Sequence, residues 1–305
     1  MATQDEKDPF AFDIQLNTEE EGRDFHRKND GHQIQRPDVV DDCCRGLLLQ
    51  TRVDRIVHGH EINGSSPATL IVFGFRFHGI DEYRRFKQAT VTINFQDEKK
   101  RSGNDPEVVA LWPNGDFTLG EPTEVEVEET SGGEAGASVT AGSGIQGGGH
   151  LTRKWERKLN HKRTDRSTLT GSIILDMSVR DYGPNNAVRL TIRENKTAAS
   201  GIVTDFRAAL LLRRQNNDSF LGTVKLEAKA HFSYNALKGL RDILGLSPTN
   251  DPVIFKPGVQ YLRPPTQAAF METKLAKEID DANLNADALE GLAGVLGTTV
   301  LAISN

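Results

Sequence analysis

The chain has 305 residues, 37 Lys+Arg against 43 Asp+Glu, a net charge of -6, and 37% hydrophobic residues. With 28 Gly and only 2 Cys, it is no collagen, coiled coil or disulfide scaffold. The negative balance argues against a general nucleic-acid coat.

The first 42 residues hold 12 acidic and 5 basic side chains, including Glu19, Glu20 and Glu21 in a row. Few aliphatics stand among them. Such a segment buries too little apolar area to offset its ordering entropy. It is expected to be disordered, with the folded domain spanning 43–265 and a tail spanning 266–305. No basic start followed by an apolar run marks a signal peptide. The apolar stretches Leu70–Phe73 and Ala208–Leu212 fall far short of the roughly 20 residues of a membrane helix. Cys43 and Cys44 are adjacent, far from relaxed disulfide geometry, so two reduced thiols in a cytoplasmic protein are expected. The triplets at Asn63, Asn195 and Asn217 are then chance matches to a glycosylation motif.

From Gly46 to Phe232 the dominant period is two. Ile71, Phe73, Phe75 and Phe77 alternate with Val72, Gly74 and Arg76. Val91, Ile93 and Phe95 share a parity, as do Val125 and Val127. Leu169, Ile173, Leu175, Met177 and Val179 form another such set. Val224, Leu226, Ala228, Ala230 and Phe232 alternate with Thr223, Lys225, Glu227, Lys229 and His231. Strict alternation predicts strands with one buried face, which favours antiparallel pairing. Turn signals at Asn63-Gly64, Pro113-Asn114-Gly115, Gly183-Pro184-Asn185 and Asn216-Asn217-Asp218 separate the runs. The expected architecture is mostly β: an antiparallel β-sandwich of about ten strands.

Residues 131–149 contain 8 Gly in 19 and read as a flexible connection between strands. A hairpin that extends on a membrane is the other reading of this region, although it lacks the strong apolar alternation of a membrane strand. Next comes a basic stretch. Residues 152–166 carry Arg153, Lys154, Arg157, Lys158, Lys162, Arg163 and Arg166 around Trp155, against Glu156 and Asp165. Basic residues beside an aromatic suit a phosphorylated polymer or an anionic membrane surface. The same residues could instead pair with Glu124, Glu126 and Glu128 across a hairpin.

One short helix is expected at Asn235–Leu244, where Leu237, Leu240 and Leu244 share a face and Gly245 follows. The tail is expected to be partly helical. Leu289, Leu292, Leu296, Val300 and Ile303 can share a face, but Gly291, Gly294 and Gly297 oppose a helix. The tail would pack on the sandwich or on a sister chain. Thr298–Ile303, uncharged and β-prone, could also join copies into a homo-oligomer.

The segments 84–95 (RRFKQATVTINF), 107–117 (EVVALWPNGDF), 153–158 (RKWERK), 165–173 (DRSTLTGSI), 188–195 (VRLTIREN) and 200–214 (SGIVTDFRAALLLRR) resemble an uncharacterised family of β-rich proteins from filamentous fungi. The resemblance covers about 220 residues (Gly46–Pro265). It implies a source and a fold but no reaction, and no functional residue carries over from it.

No nucleophile elbow, phosphate loop, dinucleotide fingerprint or zinc-protease motif is present, and no cofactor is expected. His58 and His60 on one strand face, with His78 on the next strand, form the nearest approach to a metal site. Solvated histidines beside a turn are the simpler reading. Three functions therefore stand. One is a binding module for a protein or an anionic partner, a membrane surface among them. The second is a membrane-active pore former restrained by its tail. The third is an enzyme with an unrecognised pocket.

Overall fold

A computed structural model describes residues 12–17, 28–31, 33–44, 47–62, 66–79, 84–134, 154–202, 204–232, 250–260, 279–289 and 300–302. The helix expected at Asn235–Leu244 and the run 135–149 lie outside them. Among the described residues there are thirteen strands. They are β1 (Phe12–Asn17), β2 (Asp38–Cys44), β3 (Leu47–His60), β4 (Pro67–Gly79), β5 (Arg84–Asp97), β6 (Glu107–Trp112) and β7 (Gly115–Glu134). Then follow β8 (Lys154–Ile174), β9 (Ala187–Arg193), β10 (Asp205–Arg213), β11 (Phe220–Phe232), β12 (Val253–Phe255) and β13 (Val300–Ala302).

They form two antiparallel sheets. The larger has the order β1-β11-β5-β9-β8-β7-β13, with β12 also on β11. The smaller has the order β2-β3-β4-β10-β6. The alternating side chains meet between the sheets as expected. Ile71, Phe73, Phe75 and Phe77 of β4 share a core with Val91, Ile93 and Phe95 of β5 and with Val224, Leu226, Ala228 and Ala230 of β11. Phe206 of β10 stacks on Phe75 with ring centroids 4.8 Å apart, and Phe220 stacks on Phe255 at 5.0 Å. Aromatic pairs of this geometry add to the stabilisation from burial alone.

The unbroken apolar runs have a separate cause. Leu70 and Val72 of β4, and Ala209 and Leu211 of β10, point away from the main core. They are covered by Ile279, Leu284 and Leu289. Strands buried on both faces lose the polar half of their alternation. The segment 279–289 is tied down by its backbone: His60 N donates to Asp281 O at 2.9 Å, and Leu284 N donates to His60 O at 2.8 Å. The approach is so close that a Cβ on Gly59 would stand 1.9 Å from Asp281 O.

Of the acidic N-terminal segment, residues 1–11 and 18–27 lie outside the described residues. Its described parts include β1, laddered to β11 from Phe12↔Phe232 to Asn17↔Glu227, and most of β2, laddered to β3, so the boundary expected at 43 falls inside a strand. Main-chain hydrogen bonds to a sheet edge are a term that composition alone does not register. One expectation is corrected. Met177 is 69% exposed and belongs to no strand, because β8 stops at Ile174. There the Asp176 carboxylate accepts from Ser178 N and Ser178 Oγ, closing a turn. In the tail, a 3-10 turn spans Ala286–Ala288 and Leu289 after it is helical, while residues 290–299 lie outside the described residues.

The contact at Gly59 gives a test. Gly59→Ala should force the segment 279–289 off the smaller sheet and cost about 1–3 kcal/mol, read by urea unfolding of the full chain. Unchanged stability would mean that this segment does not seal the sheet.

Candidate functional site

Strands β7 and β8 form the longest hairpin among the described residues, 20 and 21 residues long. Its base is part of the larger sheet. There β8 ladders to β9 from Thr168↔Arg193 to Ile174↔Ala187, and β13 ladders to β7 from Val300↔Leu119 to Ala302↔Phe117. The register then shifts between Leu119 and Thr123, where β7 carries extra residues opposite β8. Pro122 lies in that bulge and has no N–H to give a ladder. Beyond it the hairpin runs on from Thr123↔Asp165 to Glu134↔Lys154. Among the described residues no third strand ladders to this part. Twelve residues at about 3.3 Å each make a two-stranded ribbon about 40 Å long.

The ribbon sorts charge by strand. Its β7 arm, 123–134, holds Glu124, Glu126, Glu128, Glu129 and Glu134 and no basic residue. Its β8 arm, 154–165, holds Lys154, Arg157, Lys158, Lys162 and Arg163 against Glu156 and Asp165. The register then divides the anion-binding candidates. Lys162 and Arg163 lie opposite Glu126 and Val125, flanked by Glu124 and Glu128. Charges on adjacent strands lie well within the screening length of about 8 Å, so the acidic arm offsets these two. Farther out, Lys158, Arg157 and Trp155 lie opposite Thr130, Ser131 and Gly133, none of them charged. Lys154 faces Glu134. Arg153 lies just outside the described residues. The outer half of the ribbon thus carries Lys154, Arg157, Lys158 and Trp155 together with Glu129, Glu134 and Glu156, while the half nearer the sandwich has an excess of acidic residues.

The histidines do not converge. His58 pairs with Thr69, whereas His78 pairs with Leu48, ten residues away along β3 or about 33 Å of strand. Antiparallel pairing of β3 with β4 sets their residues running in opposite directions, and this carries His78 to the far end. His58 is also fully engaged. Its Nε2–H donates to Gln35 Oε1 at 2.6 Å, and Nδ1 accepts from the Thr69 hydroxyl at 2.9 Å. Gln35 is held by its own Nε2–H to Val259 O. With both ring nitrogens used, His58 has no lone pair for a metal. Among the described residues no group of three or more His, Cys, Asp or Glu could hold a metal ion.

Several other ionisable groups hold strands and turns together. Arg214 is buried. It donates to Ala68 O, Asn216 O and Asn217 Oδ1, and desolvation pulls its pKa down to about 10. Arg213 bridges Glu61 and Glu107, each at 3.1 Å. Buried Asp54 accepts from Arg52 and Arg207. It sits at the register shift between Val53 and Arg55, and the absence of a side chain on Gly74 makes room for the cluster. Burial raises the pKa of Asp105, whose carboxylate is 3.6 Å from Arg180. Asn195 is buried, with its amide donating to Asp165 O, and is no glycan acceptor.

No family model matches the chain, and no curated protein matches it. One solved structure that aligns with it is the Clostridium perfringens NetB toxin in the membrane-inserted form. The alignment covers 81% of this chain and 92% of that chain, at 7% identity and a TM-score of 0.24. So slight a likeness bears no weight here. Among the described residues no helix is long and apolar enough to cross a membrane.

His58 yields a pH prediction. Desolvation, followed by the nearby Arg214 charge, lowers its pKa from 6.5 to about 4. The folded state therefore prefers neutral His58, and its contribution is complete above pH 6.5. It is lost as pH falls from 6.5 towards 4, because the unfolded chain takes the proton first. The loss amounts to up to about 3 kcal/mol. His58→Gln should flatten that part of the stability profile measured by urea unfolding. An identical slope in the variant would contradict the assignment.

Proposed function

We propose that this protein is a non-enzymatic β-sandwich module that docks on an anionic membrane surface through the far end of the β7–β8 ribbon. One observation carries the reading. The ribbon continues for twelve residues beyond the sheet, and its far end places Lys154, Trp155, Arg157 and Lys158 against a mostly uncharged stretch of β7. Tryptophan favours the membrane–water interface, and each basic residue near an anionic surface contributes roughly 1 kcal/mol. A partner reached only by that end would not meet the acidic half of the ribbon.

A second reading is that the hairpin enters the bilayer as part of a pore. Its length favours this, since each arm exceeds the roughly 9–11 residues that a tilted strand needs to cross hydrocarbon. The ladder of β13 to β7 at the ribbon's base would then be the restraint exerted by the tail. Against insertion of the described arms stand their many charges. They would serve as a stem outside the lipid.

Co-sedimentation with vesicles tests both. The full chain should bind phosphatidylserine-containing vesicles and not phosphatidylcholine alone. Reversing Lys154, Arg157 and Lys158 to Glu should weaken binding by about a hundredfold or more with the thermal midpoint nearly unchanged. Reversing Arg163 alone should matter less, because the acidic arm already offsets it. Binding that ignores lipid charge would sink the docking proposal. Binding to single-stranded RNA without vesicle binding would replace lipid by nucleic acid. Release of a dye trapped in the vesicles would favour the pore.

A further inference from the structure

A two-stranded ribbon has two free backbone edges. In this one the outer edge of β7 along 123–134 and the outer edge of β8 along 154–165 have no ladder partner among the described residues. Free edges are templates for another strand, and charge is a common means of blocking them. Here the two edges carry opposite signs. One is lined by a strand with five Glu and no Lys or Arg, the other by a strand with five Lys or Arg against Glu156 and Asp165. Like edges repel: β7 against a second β7 would bring together two strands of five Glu each, and β8 against a second β8 two strands in which basic residues outnumber acidic ones. Unlike edges attract.

From this sorting we infer that the partner of the ribbon is a second copy of the same chain, joined by the acidic β7 edge of one copy pairing with the basic β8 edge of the next. The complementarity is already realised once within the chain, where β7 and β8 pair antiparallel over the whole length of the ribbon. A strand's backbone groups alternate between its two edges, so residues whose groups do not serve the hairpin are free to serve the neighbour. Repeating the same register places Glu126 of one copy opposite Lys162 of the next. A stagger of two residues keeps every side chain on its own face and lets the strands tilt. The contact joins two different surfaces, so it is heterologous. It leaves one free acidic edge and one free basic edge at each end of a row, and such a row closes into a ring or continues as a filament. Two equal partners cannot satisfy it by a two-fold axis.

The base of the ribbon limits the contact. Strand β13 occupies the β7 edge at Phe117–Leu119, and β9 occupies the β8 edge from Thr168 onward. Only the part beyond the bulge at 119–123 is open. The sandwich bodies need not touch for the ribbons to pair. The inference uses the same ribbon as the membrane proposal but does not depend on lipid.

Mixed single-cysteine variants test it. In a background with Cys43→Ser and Cys44→Ser, one preparation carries Glu126→Cys and the other Lys162→Cys. Each is treated with a short bis-maleimide, alone and mixed, in low-salt buffer and on phosphatidylserine-containing vesicles. The expected result is a cross-linked dimer in the mixture and its loss in either preparation alone. Raising the salt should reduce the dimer formed in solution. Cross-linking of Glu126→Cys with itself, or no dimer in the mixture under either condition, would overturn the inference. Sedimentation in the same samples reads lipid binding separately, so failure of docking and failure of ribbon pairing are told apart. A thermal melt of each variant confirms that the sandwich is folded.

Discussion

Strand β8 is 21 residues long and β9 beside it is 7, and the protein is organised around how that mismatch is met. The last residues of β8 are held between two neighbours in a sheet. The first twelve have only β7. A two-stranded hairpin alone in water is marginal at best. This one is anchored at its base by the sandwich core, and its register sets Glu126 opposite Lys162 and Glu134 opposite Lys154. The sandwich supplies rigidity and the ribbon supplies reach.

The base is held with some redundancy. Leu169 and Phe117 join the main core between the sheets, while Trp112 of β6 packs edge-on against Phe117 at 4.8 Å. The C-terminal part of the chain reinforces both sheets. Its segment 279–289 covers the outer face of β4 and β10, and β13 extends the larger sheet alongside the base of β7. The tail thus ladders to the base of the ribbon. A partner that competed for the edge of β7 at Phe117–Leu119 would have to displace β13.

Much of the fold was legible in the sequence because it depends on side-chain alternation. The alternating sets of β4, β5 and β11 lie where the period of two puts them. Less visible was what depends on backbone pairing. Composition does not show that residues 12–17 and 38–42 ladder to sheet edges through main-chain groups, nor that Val39 and Val40 are both buried. The site was legible only as a cluster. The sequence picks out Lys154, Trp155, Arg157, Lys158, Lys162 and Arg163 as one basic stretch. It could not say that a register would set Lys162 against Glu126 and leave Arg157 facing Ser131. Alternation groups His58 and His60 on one strand face with His78 on the next strand, but antiparallel pairing sets His78 opposite Leu48 at the other end of β3.

The central claim is that the ribbon stands away from the sandwich as one extended element. A distance between spin labels tests it directly, with Lys158→Cys near the ribbon's far end and Arg189→Cys on β9 in a chain lacking Cys43 and Cys44. Arg189 pairs with Ser172, fourteen residues along β8 from Lys158. An extended strand then predicts a separation of about 40–45 Å, narrowly distributed. A distance under about half that value would mean that the strand folds back on the body, and the account of an outward-reaching ribbon would be wrong.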